Sequence, residues 1–167
     1  MYRHLLVPTD GTAPSRSCLN HAVELARAVG ARITVFYARE SPYSHTAVLP
    51  YGLEAMAFDA ELTARFEASS QEHANRLLAD AVSIAEASGV VAAGDSVEAV
   101  TVWRAILDAA SRHGCDLIMM ASHGRSGLAG LLLGSETMRV LTHSAIPVLV
   151  DRFAGPDGAG RATSADD

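Results

Sequence analysis

Asp116 to Ser135, DLIMMASHGRSGLAGLLLGS, constrains the fold more than any other stretch of the chain. It opens on Asp116-Leu117-Ile118-Met119-Met120, an apolar run short enough for a strand buried on both faces, as strands of parallel sheets are. Four glycines follow, at 124, 127, 130 and 134. Ser135 then precedes Glu136 and a helical pattern through Val140 and Leu141, so Gly134-Ser135 marks a helix N-terminus. Glycines let a backbone approach a ligand closely, and a helix start offers unpaired N–H groups and the positive end of a dipole. A strand, a glycine loop and a helix start together predict an anion site, with phosphate as the candidate.

Composition narrows the chemistry. All thirteen basic side chains are arginines. A phosphate loop of the G-x-x-x-x-G-K-[ST] type and Schiff-base catalysis both require a lysine, so neither operates here. The net charge of −6, with no basic cluster, argues against a sequence-independent grip on DNA or RNA. No uninterrupted apolar stretch reaches the roughly 20 residues of a membrane span, and the N-terminus lacks a signal-peptide pattern. A cytoplasmic, soluble protein without membrane or nucleic-acid partners is expected. Cys18 and Cys115 belong to no metal-ligand pair and read as free structural thiols. The seven histidines give no zinc spacing, and no metal site is expected. Ser122 and His123 are adjacent, so their side chains diverge, and no G-x-S-x-G elbow surrounds them.

Along the chain, His4–Pro8 reads as a buried strand ending at the turn sequence Thr9-Asp10-Gly11. Asp10 at a strand's C-terminal end has two readings: a hydrogen bond to a ribose hydroxyl, or an Asx-turn to its own backbone. Thr12 can cap a first helix with Pro14 in its first turn and Cys18, Ala22, Leu25, Ala26 and Val29 on one face, stopped by Gly30. Ile33–Ala38 completes a right-handed β-α-β unit. Ser41–Leu53 is irregular. A helical stretch from Glu54 to Ser88 carries Leu77, Ala81, Ile84 and Ala85 at helical spacing, with a break expected near Asp59 or Ser69-Ser70. A strand is expected at Ser96–Val100, a third helix from Val102 to His113-Gly114, a fourth from Ser135 to Ser144, and an edge strand at Pro147–Val150. Trp103 opens the third helix, most simply as packing. The tail from Phe153 is glycine- and aspartate-rich and is expected to be disordered. Five strands alternating with four helical segments predict a three-layer α/β/α fold on a parallel sheet. The Pro147–Val150 edge would be left unpaired in a monomer, which predicts a homodimer through this strand.

LLVPTDGT near the start, DLIMMASHGRSGLAGLLLGS in the middle and VLTHSAIPVLV near the end, in this order and spacing, resemble the universal stress protein family. The resemblance covers Arg3 to Arg152, so residues 1–152 are expected to form one domain and 153–167 a tail. It implies a five-stranded parallel sheet of Rossmann-like topology, of the adenine nucleotide α-hydrolase-like type. It also implies ATP as ligand. The family signature G-x2-G-x9-G-[S/T] is met by Gly124, Gly134 and Ser135, with Ala121 in place of the first glycine. By resemblance, Gly124, Gly134 and Ser135 hold the phosphates, Asp10 the ribose, and Pro8 with the backbone near Tyr37 the adenine; Thr9, His123 and Gly127 complete the candidate set.

Two residues bear on whether the site works. Ala121 adds a methyl group, harmless at negative φ and costing on the order of 1 kcal/mol or more at positive φ. Glu136 suits a helix N-terminus but repels phosphate unless it is turned away or bridged by a divalent cation such as Mg2+, while Arg125 can swing toward phosphate and offset the charge. A nucleotide-binding stress-response protein, with nucleotide acting as a conformational ligand, is the leading expectation. A dimeric interaction module with an empty pocket, or a slow ATPase, are the alternatives.

Overall fold

The computed structural model describes residues 1–41, 60–122 and 133–152. The expected glycine loop, with His123, Gly124, Arg125 and Gly127, lies outside the described residues. So do nearly all of the irregular stretch after Ser41, the expected break near Asp59, and the tail from Phe153.

Among the described residues, five strands, β1 (His4–Pro8), β2 (Arg32–Glu40), β3 (Ala92–Ala99), β4 (Leu117–Ala121) and β5 (Val148–Asp151), alternate with four helices. The helices are α1 (Ala13–Val29), α2 (Ala60–Ala87), α3 (Val102–His113) and α4 (Ser135–His143). All strand pairs are parallel, in the order β3-β2-β1-β4-β5. Side chains alternate across the sheet as the pleat demands. Leu5, Val7, Ile33, Val35, Leu117 and Met119 meet α1 and α2 on one face. Leu6, Phe36, Ile118 and Met120 meet α3 and Val140 of α4 on the other. This is the three-layer arrangement expected, and it explains why β1 and β4 read as continuous apolar runs.

Three elements differ from the sequence reading. β3 begins at Ala92, four residues before the expected Ser96, because Ala92 to Ala99 pair one-for-one with Ile33 to Glu40 of β2. Gly94 belongs in that strand for a packing reason: a Cβ there would lie 2.9 Å from Leu78 Cβ of α2. α2 runs unbroken through Ser69-Ser70. Its exposed first half is held by i,i+4 pairs, Arg65–Glu61 at 2.6 Å and Gln71–Asn75 at 2.8 Å. It buries Ala74, Leu78, Ala81 and Ala85, while Leu77 is partly buried and Ile84 exposed, so its core face is rotated from the one expected. β5 starts after Pro147, whose carbonyl still accepts from Ile118 N–H at 3.0 Å. A proline just before an edge strand withholds no donor the sheet needs.

Candidate functional site

The sheet order reverses at β1. From β1 the chain steps outward to β2 on one side, and β4 lies on the other. α1, which follows β1, covers one face; α4, beyond β4, covers the opposite face. The two connections therefore part at the carboxyl ends of β1 and β4. In open α/β sheets this crevice is where ligands bind.

On the β1 side, Thr9 N–H donates to Phe36 O of β2 at 2.9 Å, which carries the pairing one residue past Pro8. Asp10 then makes an Asx-turn: its Oδ1 accepts from Thr12 N–H at 3.0 Å and from Thr12 Oγ1 at 2.6 Å. Thr12 is the N-cap of α1, but it uses its hydroxyl on Asp10 rather than on the helix. Thr9 Oγ1 accepts from Gly11 N–H at 3.2 Å and donates to Ser15 Oγ at 3.1 Å. Gly11 is obligatory here. Its φ is +78°, and a Cβ would come within 2.8 Å of Leu77 Cδ1. The turn thus presents Asp10 in one fixed orientation.

On the β4 side, Ala121 is the last strand residue, in extended backbone, where an alanine carries none of the left-handed strain weighed for that position. Its carbonyl accepts from Thr137 Oγ1 at 3.0 Å, and the Ser122 carbonyl accepts from Gly134 N–H at 2.7 Å. These two bonds dock the start of α4 against the end of β4. The N-cap of α4 is Gly134, which has no side chain with which to cap the helix. The first-turn N–H groups, from Ser135 onward, have no intrahelical acceptors and point out of the N-terminal end with the dipole.

Glu136 is turned away from that end. Its Oε2 accepts from the backbone N–H of Trp103, at the start of α3, at 2.8 Å, and its Oε1 accepts from Arg139 Nη1 at 3.1 Å. Thr101, the N-cap of α3, makes no side-chain cap bond, so a carboxylate from another helix satisfies that orphan donor. The Trp103 ring also stacks on His143 from the last turn of α4, with centroids 4.5 Å apart, and the Arg104 guanidinium lies 5.1 Å from the Trp103 ring centroid.

The structure brings Pro8, Thr9, Asp10, Ala121, Gly134, Ser135 and Glu136 to the C-terminal side of adjacent strands. Tyr37 stands on β2, one residue past the acceptor of Thr9. Its ring points to the α2 face, edge-on to His73 with centroids 6.0 Å apart, so its backbone rather than its ring borders the crevice. Sequence reading missed Thr137, and it took Trp103 for packing without its backbone bond to Glu136. A threonine at the third helical position, N3, is the sole signal for the first; for the second, an acceptor 33 residues away leaves none.

A model of the universal stress protein family matches residues 1–152. The chain belongs to the universal stress protein family. Among its relatives, Universal stress protein MJ0531 of Methanocaldococcus jannaschii is 29% identical over 151 residues, spanning 90% of this chain and 82% of that protein. Among solved structures, the protein MJ0577 superposes with a TM-score of 0.76 at 22% identity, covering 93% and 99% of the two chains. A universal stress protein in complex with cAMP gives a TM-score of 0.60 at 22% identity, over 90% and 97%. One from Archaeoglobus fulgidus in complex with dAMP gives 0.59 at 20%, over 89% and 97%. At these identities the structures establish the universal stress protein fold.

Proposed function

We propose that this universal stress protein binds an adenine nucleotide, with ATP as the leading candidate, in the crevice between β1 and β4. The observation that carries the reading is the N-terminus of α4, which starts at a glycine and is docked beside the end of β4, with the Asp10 turn following the neighbouring strand β1. The likeness to chains solved with cAMP and dAMP supports an adenine nucleotide in general. In this reading Gly134 and Ser135 offer N–H groups to phosphate, with Gly124, Gly127, His123 and Arg125 completing the cradle. Asp10 takes the ribose, and Pro8, Thr9 and the Tyr37 backbone border the base. Glu136 braces α3 and holds neither phosphate nor metal; Mg2+ would arrive on the phosphates. Nucleotide acts as a conformational ligand in a cytoplasmic stress response, shifting the populations a partner recognises. The β5 edge, with Leu149 exposed, pairs with a second copy to give a homodimer.

Calorimetric titration with ATP, with and without magnesium, tests the proposal. Saturable heat is expected; no heat and no thermal shift at millimolar ligand would refute it. A monomeric mass by light scattering at micromolar protein would refute the dimer.

A further inference from the structure

α4, whose first turn carries the phosphate end of the proposed site, has few anchors of its own. It has nine residues, Ser135–His143, fewer than the roughly 12 to 15 an isolated helix needs, so its neighbours must fix its position. It buries Thr137 and Val140, while Met138 and Leu141 are exposed. α3 is the opposite case. It buries Ala105, Ile106, Ala109 and Ala110 in one cluster with Leu6, Phe36, Ile118 and Met120 of the sheet.

Trp103, in the first turn of α3 and packed against that cluster, holds both ends of α4. Its N–H donates to Glu136 Oε2 in the first turn of α4 at 2.8 Å. Its ring stacks on His143 in the last turn, with centroids 4.5 Å apart and planes inclined by 33°. Within α4 the two contact points are joined: Arg139 Nη1 donates to Glu136 Oε1 at 3.1 Å, and His143 Nδ1–H donates to the Arg139 carbonyl at 2.8 Å. The circuit Trp103–Glu136–Arg139–His143 therefore runs the length of α4 and closes on Trp103. We propose that Trp103 is a positioning residue for phosphate recognition: by holding α4 at Glu136 and His143, it sets where the Ser135–Thr137 N–H groups lie relative to the Asp10 turn. This role rests on the proposed nucleotide site. In that site the base and ribose lie at β1, β2 and the Asp10 turn, so loosening α4 weakens the phosphate contacts and spares the nucleoside.

Calorimetric titration of wild type, Trp103→Leu and Trp103→Phe with ATP and with adenosine tests this. Leucine keeps an apolar side chain on the α3 core but offers no ring to His143, phenylalanine restores a ring, and all three keep the backbone N–H. An aromatic stack corresponds to a factor of about two to ten in an equilibrium constant. Trp103→Leu should therefore weaken ATP by about fivefold and leave adenosine within about twofold of wild type, while Trp103→Phe should hold ATP within about twofold. His143→Ala removes the other ring at an exposed residue and should show the same selective loss, which keeps the test open should Trp103→Leu fail to fold. Wild-type protein that takes up no ATP would remove the nucleotide site and this role together. Where wild type binds ATP, wild-type ATP affinity in Trp103→Leu or His143→Ala, an equal loss for adenosine, or an equal loss in Trp103→Phe would overturn the role of Trp103 alone.

Discussion

Replacing Glu136 by alanine removes a carboxylate that ties two helices together. The Trp103 N–H that it caps is part-buried, and the bond is charge-assisted at 2.8 Å. Losing an N-cap acceptor costs roughly 1 to 2 kcal/mol. The Arg139 pair spans i,i+3 with the arginine 56% exposed, and adds a few tenths of a kcal/mol at most. A loss of about 1.5 kcal/mol in a domain of this size lowers the melting temperature by about 3 to 6 °C. Glu136→Gln keeps an acceptor for Trp103 and should recover at least half of the loss. Trp103 is the sole tryptophan, so its emission reports the same junction without a label. Thermal unfolding followed by circular dichroism and by tryptophan emission reads both effects. A Glu136→Ala melting point within about 1 °C of wild type, with unchanged emission, would refute the brace. A loss of magnesium-dependent nucleotide affinity in both variants, without a change in stability, would return Glu136 to a metal role.

Other outcomes follow from single residues. Gly11→Ala combines a left-handed φ with a contact on Leu77, and should cost on the order of 2 kcal/mol or more in denaturant unfolding. Burial, then the nearby Arg32 charge, holds the His4 imidazolium pKa below its ordinary value, so folded His4 stays neutral where the unfolded chain becomes charged. Its depressed pKa makes stability full above about pH 6.5 and declining as pH falls below that, and His4→Gln should flatten this decline. Burial pushes the Cys18 thiol up to about 12 and the Cys115 thiol up to about 11, so a thiol reagent at neutral pH should label both only on unfolding; rapid labelling of the native protein would contradict their placement.

Elements whose cause is local were legible in the sequence. β1 and β4 are short apolar runs because both their faces are covered, and α1 is bounded by Thr12 and by Gly30, which sits at φ +70°. The first half of β3 was not legible. Ala92-Ala93-Gly94-Asp95 has little β-propensity, and its extended form comes from pairing with β2 and from the approach of Leu78. The face of α2 differs from the expected one because Ala74 and Leu78 join Ala81 and Ala85 against the sheet while Ile84 is exposed, and a small residue such as Ala74 carries little apolar signal. At the site, the turn at Asp10 and the helix start at Ser135 follow from residue type. The role of Glu136 does not. Its partner is a backbone N–H on another helix, which no side-chain pattern announces.

The proposed site holds an adenine nucleotide with its phosphates at the α4 N-terminus and its ribose at the Asp10 turn. Amide-resolved NMR during titration with ATP and magnesium tests it most directly. Saturable shifts of the Thr9, Asp10, Ser135, Glu136 and Thr137 amides are expected, with the far ends of α1 and α3 unmoved. Saturation with no shift at Ser135–Thr137, or shifts confined to another face of the sheet, would contradict it.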